Sequence, residues 1–354
     1  MFALNSECGD RLRSAASLIA EGTLARTYAE RPSVFESYGD KGRAKCRQDI
    51  RCNVAALAAA VDADDAGIFV RYVAWLKVLL VSRGIASDAI EENLRCMASA
   101  LMDDASGDHS IAASYVYAAL EEIDAMPSAV ASFIEPSNQE HAVAQRCLEA
   151  LLRLDAGAGR EILEKAIAAG MPLMRIYTGI IPPLMHEIGR LWQMNEITVA
   201  HEHYCSAAVQ SMLGAFNKSI YAAGSSCGRS MMIACVEGDR HELGARTVAD
   251  VFQLNGWRTS FLGATLPPHE LAKLIRQTWR PPDLIALSAT IPAHLPQLEA
   301  TIAVIRDGSN IPIMVGGYLF CENRGLAVRL GADGCADDAE AALSLANALV
   351  PHPA

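Results

Sequence analysis

The sequence predicts a multidomain chain of α and α/β class: an all-α N-terminal domain, a four-helix bundle after it, and a C-terminal Rossmann-like domain on a parallel sheet. Three observations carry this. No convincing strand-like alternation occurs before Ser230, and the first 220 or so residues read as helices punctuated by Gly, Pro and Asp. After Ser230, apolar runs at Met231–Val236, Leu284–Leu287 and Ile313–Val315 each end in polar or glycine residues. The stretches between them are long enough for helical crossovers, which in right-handed parallel sheets bring the strand ends to one edge. The expected boundaries are 1–138, 139–224 and 228–354.

The 354 residues are 51% hydrophobic and 20% charged, a globular balance rather than a disordered one. A formal charge of −11 disfavours a broad phosphate-binding surface, so nucleic acid is not an expected direct partner. The ten cysteines include no CxxC pair, which argues against a zinc site and a disulfide framework and predicts reduced, mostly buried thiols. Neither a signal peptide nor an apolar run of about eighteen residues is read, predicting a cytoplasmic protein without a membrane partner.

In the first domain, helical spacing predicts elements from about Arg43 to Val61, Gly67 to Arg83, Asp88 to Met102 and Ala112 to Ile123. Tyr72 and Trp75 read as core residues, and His109 and His141 as surface helix histidines. The prolines and small residues between Met126 and Asn138 read as a connecting segment. The four-helix block follows as Glu140 to Leu154, Gly157 to Gly170, Pro172 to Trp192 and Thr198 to Asn217, with a kink expected at Pro182-Pro183.

The candidate site is Asp239-Arg-His241-Glu-Leu-Gly244, at the junction of the first apolar run and the helix after it. The end of a parallel strand is where open α/β sheets bind ligands. There His241 can offer one ring nitrogen to a metal while Asp239 holds the other N–H, fixing the tautomer. Gly244 lets a bulky group pass close to the backbone. Taken alone, the hexapeptide equally suits a solvated loop at a helix N-terminus.

Together, Asp239-x-His241-x-x-Gly244, Ser288-x-Thr290 and Gly316-Gly317 resemble the signature of the base-off cobalamin-binding domain shared by B12-dependent methyltransferases, mutases and photoreceptors. The resemblance covers about 228–349 and implies a flavodoxin-like fold. It makes His241 the lower cobalt ligand, with the cofactor's nucleotide tail passing Gly244, Ser288 and the glycine pair. Thr290 stands where the family often has Leu. Residues 139–217 are similar to the helical bundle that caps the corrin in the same proteins.

Within that bundle, Trp192, Glu202 and His203 form a Trp-x9-Glu-His pattern spanning one helix end, a turn and the next helix start. On their own, Trp192 reads as core and His203 as an interface histidine. Beside the downstream signature, the pattern resembles that of B12 photoreceptors related to CarH, LitR and AerR. The resemblance places Trp192 and Glu202 around the upper axial group of adenosylcobalamin, with His203 poised to reach cobalt once light removes that group. Gln193 stands where CarH has a second histidine, so His201 or His203 must supply any upper nitrogen.

Residues 1–138 lack the basic DNA reader of CarH-type repressors and resemble the helical partner domain of B12 sensors without one, among them photocobilins, which also bind a bilin such as biliverdin. The expected function is a non-enzymatic light sensor that signals to an unidentified protein or through a homo-oligomer, a dimer being expected. Two other readings stand beside it: a methyl-carrying corrinoid protein serving methyltransferases, and a haem or redox sensor in which His241 or His203 ligates iron.

Overall fold

A short polar side chain opens several helices of this protein, accepting the backbone N–H groups that a first turn leaves without partners. Asp65 accepts from Gly67, Asn138 from Glu140 and His141, Asp155 from Ala158, Thr198 from His201, and Asp338 from Ala341. The computed structural model describes residues 6–104, 107–223, 226–321 and 323–351. The chain divides into two compact units, one ending at Val130 and the other beginning at Ala131.

The first unit is helical: α1 (Ser6–Glu30), α2 (Pro32–Phe35), α3 (Gly39–Asp62), α4 (Ala66–Val81), α5 (Ser87–Met102) and α6 (Ser110–Glu122). The run Ala56–Val61 on α3 is buried on every side, as expected of a helix at the centre of its unit. Its last residue, Asp62, is 1% exposed and paired with Arg13 at 2.7 Å. Buried Lys77 donates to the carbonyls of Ile123 and Met126 at 2.6 and 2.8 Å, closing the C-terminal end of α6.

Three expectations for side chains need correction. Trp75 is 41% exposed rather than core, while Tyr72 is anchored by a 2.8 Å bond to Asn53. His109 is buried, because its Nε2 lies 3.0 Å from Asp104 and the two groups satisfy each other away from water. All ten cysteines are free, but only Cys96, Cys147, Cys205 and Cys235 are buried.

The second unit begins with helices α7 (Gln139–Leu152), α8 (Ala156–Ala168), α9 (Leu173–Arg175), α10 (Ile181–Gln193), α11 (Val199–Ala215) and α12 (Asn217–Ala223). The expected helix from Pro172 to Trp192 is not continuous. A π turn at Ile176–Ile180 separates α9 from α10, and Pro182-Pro183 fall in the first turn of α10. Proline there lacks the N–H of the ordinary ladder and crowds the carbonyl four residues back, so the turn upstream widens instead of α10 bending in its middle.

A five-stranded parallel sheet follows: β1 (Ser230–Cys235), β2 (Arg258–Phe261), β3 (Leu284–Ser288), β4 (Ile313–Gly316) and β5 (Gly334–Ala336), in the order β2-β1-β3-β4-β5. The crossover helices are α13 (Glu242–Leu254), α14 (Pro268–Gln277), α15 (Leu295–Arg306) and α16 (Arg324–Arg329), with α17 (Ala339–Leu349) last. This is the flavodoxin-like order, with its switch point between β1 and β3. All of β1 is buried, which explains why its sequence is continuously apolar rather than alternating. The bundle packs onto this domain through Val251 of α13 and Ala339 of α17, which join its apolar core. Arg175 adds a polar tie, gripping Glu140 through two bonds of 2.6 Å and reaching Glu340 of α17 at 3.3 Å.

Candidate functional site at the β1–β3 switch point

Strand register brings the sequence signatures side by side. Cys235 at the end of β1 lies opposite Ser288 at the end of β3, and Ser288 lies opposite Gly316 at the end of β4. Backbone bonds continue past the strands, from Val236 N–H to Ser288 O at 3.1 Å and from Ala289 N–H to Gly316 O at 3.0 Å. The three loops therefore leave a single sheet edge at the switch point, where ligands bind in this topology.

Asp239 is fully buried at the centre of the loop after β1. Its Oδ1 accepts from the His241 backbone N–H at 2.9 Å and from the ring Nδ1 at 2.7 Å. Its Oδ2 accepts the Thr290 backbone N–H at 2.6 Å. Burial alone would raise the carboxyl pKa, but bonds from His241 and the Thr290 backbone, with the His294 ring close by, outweigh it and hold the group ionised, well below the usual carboxylate range.

His241 occupies the N-cap of α13 with its ring 59% exposed. The Asp239 bond raises its pKa against the opposing effect of desolvation, and the charge of Glu202 adds to the rise. Because Nδ1–H is committed to Asp239, Nε2 is the nitrogen turned toward solvent and available to a metal. This donor set suits a single axial bond to a metal already held by a macrocycle. Among the described residues no group of three or more His, Cys, Asp or Glu side chains is placed to hold an ion by itself.

The glycines divide by role. A Cβ on Gly244 would meet nothing within 4 Å, so the surface beside the first turn of α13 is open. Gly317, with φ 108°, is required by the fold: a Cβ there would lie 2.3 Å from the Ala289 carbonyl oxygen. A Cβ on Gly316 would make only ordinary contact, 3.6 Å from the Ala336 oxygen. Ser288 and Thr290 are half-buried at the mouth of the same edge.

The bundle supplies the remaining candidates. Trp192 is half-buried near the end of α10, and Gln193 after it is buried. Glu202, in the first turn of α11, accepts from His203 Nδ1 at 2.5 Å and from Ser206 Oγ at 2.7 Å. That leaves His203 Nε2 outward on a ring 75% exposed, while His201 Nδ1 is engaged with Thr198 Oγ1 at 2.8 Å. Gln210 of α11 bonds Glu242 of α13 at 2.9 Å, so α11 meets the start of the helix that His241 caps.

No local sequence pattern marks His294. Its ring lies 3.2 Å from where a Cβ on Gly238 would stand, and its Nδ1 is 3.8 Å from Asp239 Oδ2. It follows Thr290 by one short turn, so only the register of β3 against β1 reveals that it faces Asp239.

A sheet of this order, with a carboxylate-oriented histidine at its switch point under a helical bundle, defines a cofactor-binding α/β module. Residues 229–346 match the family model of the B12 binding domain, and residues 143–216 match a second model of the same description. The chain is accordingly a cobalamin-binding protein over this region. Proteins of two kinds are among those it resembles. HTH-type transcriptional repressor CarH of Myxococcus xanthus is 26% identical over 172 residues, 48% of this chain and 56% of the repressor. Dimethylamine corrinoid protein 1 of Methanosarcina acetivorans is 26% identical over 195 residues, 54% of this chain and 83% of that protein. The chain thus spans only about half the length of the repressors it matches. In fold, the monomethylamine corrinoid protein of Methanosarcina barkeri superposes on 59% of this chain and 99% of its own, with a TM-score of 0.51 and 18% identity.

Proposed function

We propose that this protein is a light sensor that binds adenosylcobalamin with His241 as the lower cobalt ligand. When bound, that cofactor supplies a cobalt–carbon bond that light breaks. Asp239 keeps the His241 ring in one orientation and leaves Nε2 outward. The open surface beside Gly244, with Ser288, Thr290, Gly316 and Gly317 along the sheet edge, accommodates the nucleotide tail. Trp192 and Glu202 flank the upper group, and His203 presents Nε2 on the same side.

The observation that supports this reading is the 2.9 Å bond from Gln210 to Glu242, which joins α11, whose first turn carries Glu202, to the start of the helix that His241 caps. The helical unit before Ala131 lies outside both B12-binding matches and is read as an input or dimerisation unit, with biliverdin as the second chromophore. No catalytic role is assigned. Output passes to an unidentified protein partner or through a homo-oligomer, without direct nucleic-acid contact. Among the described residues no helix is long and apolar enough to cross a membrane. The ten free cysteines are the ground on which we place the protein in the cytoplasm.

The test is absorption spectroscopy of the full chain loaded with adenosylcobalamin, before and after illumination, with and without biliverdin. The reading requires a light-driven spectral change and, with biliverdin, a red band through which red light drives the same change. A second reading, a methyl-carrying corrinoid protein, is favoured by the 83% coverage of the dimethylamine corrinoid protein. It requires methylcobalamin binding with methyl transfer to an acceptor in the dark. Binding of haem in place of cobalamin would support the iron-sensor reading instead.

A further inference from the structure

The segment by which the chain enters the second unit is fastened to the bundle at three consecutive residues. Phe133 donates its backbone N–H to Glu187 Oε2 at 2.9 Å, the Ile134 side chain is buried in the bundle core, and Glu135 donates its N–H to His141 Nδ1 at 2.9 Å. Glu187 lies on α10, only 5% exposed. Its other oxygen accepts two bonds from Arg190, from Nε at 3.0 Å and Nη2 at 2.8 Å.

Arg190, itself 12% exposed, turns its remaining terminal nitrogen the other way and donates to Glu196 Oε1 at 3.0 Å. Glu196 stands in the turn between Trp192 and Glu202, folded back on α10 by its backbone bond to the Leu191 carbonyl at 2.8 Å. A continuous path of charge-assisted bonds therefore runs from the turn beside the upper-face residues, through a nearly buried Arg–Glu pair, to the backbone of Phe133. Burial opposes ionisation of Glu187, but Arg190 and the Phe133 N–H prevail and keep it charged.

Breaking one end of such a path changes what the other holds. If Glu196 withdraws, Arg190 loses one of two acceptors and its guanidinium is no longer held in a single orientation. The carboxylate that Arg190 steadies is the one that fastens Phe133.

We propose that Glu196, Arg190 and Glu187 form a relay that couples the Trp192–Glu202 turn to the connecting segment 131–138, so that movement over the cofactor's upper face loosens the chain's entry into this unit. The relay rests on the light-sensor reading only for what moves the turn, since the coupling itself is a property of the chain without cofactor.

The test is amide hydrogen exchange of segment 131–138 in the full-length chain without cofactor, comparing the unaltered protein with Glu196→Gln and Glu187→Gln. Glu196 is 49% exposed, so its replacement spares the bundle core. Glu196→Gln is expected to speed Phe133 exchange about two- to fivefold, as loss of a partly exposed ion pair implies. Glu187→Gln is expected to speed it about tenfold or more, as loss of a buried charged acceptor implies. Amides in the middle of α7 and α11 should keep their rates in both variants. An unchanged Phe133 rate in Glu196→Gln overturns the relay even if Glu187→Gln accelerates it, because the clasp would then be independent of the turn. Cobalamin binding and its light response are read separately by absorption, so failure of the sensor reading leaves this result distinct.

Discussion

Asp239 and Thr290 are joined by a 2.6 Å hydrogen bond from the Thr290 backbone N–H to the Asp239 carboxylate. The same carboxylate holds the His241 ring, so one buried group fixes the loop after β1 against the loop after β3 and aims a histidine from the result. Since the Thr290 bond comes from the backbone, it does not require the Leu common at that position in related signatures.

Asp239→Asn should retain an oxygen acceptor but lose the charge that steadies the His241 ring. Cobalamin affinity, measured by spectral titration, is expected to fall about 10–100-fold, the usual effect of losing a carboxylate behind a metal-bound histidine.

The two glycine classes predict opposite effects. Gly317→Ala forces a side chain into the left-handed region and against the Ala289 carbonyl, so denaturant unfolding should show a loss of more than about 2 kcal/mol. Gly244→Ala meets open space in the first turn of α13 and should leave the cofactor-free chain as stable or up to about 1 kcal/mol more stable. Its cobalamin affinity should nonetheless fall, since the new methyl group occupies the path of the tail.

Trp192→Ala should weaken adenosylcobalamin binding more than hydroxocobalamin binding, because only the former carries a bulky upper group to be packed. Parallel titrations of the two forms check this, and equal losses would make the Trp a structural wedge.

What was legible in the sequence follows from burial. β1, β3 and β4 lie inside the sheet and read as continuous apolar runs, whereas the edge strand β2, Arg-Thr-Ser-Phe, alternates partial exposure over four residues and gives no such signal. β5 is only Gly-Cys-Ala. α1 gives only a weak apolar signal because its buried face includes Thr23 and Thr27, whose hydroxyls are satisfied by the Ile19 and Thr23 carbonyls one turn back. Asp239 and His241 were legible because they share one local motif. His294 and the path from Glu196 to Phe133 depend on packing between segments distant in sequence, which no local pattern encodes.

Acid should weaken the bundle through Glu140. Its bonds with Arg175 outweigh desolvation and lower its pKa, with His141 adding a smaller effect. A folded-state pKa below the unfolded one means that this stability is present above the ordinary glutamate value of about 4.3 and is lost as pH falls through the folded value. Denaturant unfolding from pH 7 downward should therefore show a shallower acid loss in Glu140→Gln than in the unaltered chain.

The central claim is that His241 supplies the lower nitrogen to cobalt. Electron paramagnetic resonance of the bound Co(II) form, in protein carrying ¹⁵N only in its histidines, tests it most directly. The account predicts that the axial nitrogen splitting changes from the ¹⁴N to the ¹⁵N pattern and that the protein-derived splitting disappears in His241→Ala. An unchanged ¹⁴N pattern in the labelled protein, or a ¹⁵N splitting that survives His241→Ala, would contradict it.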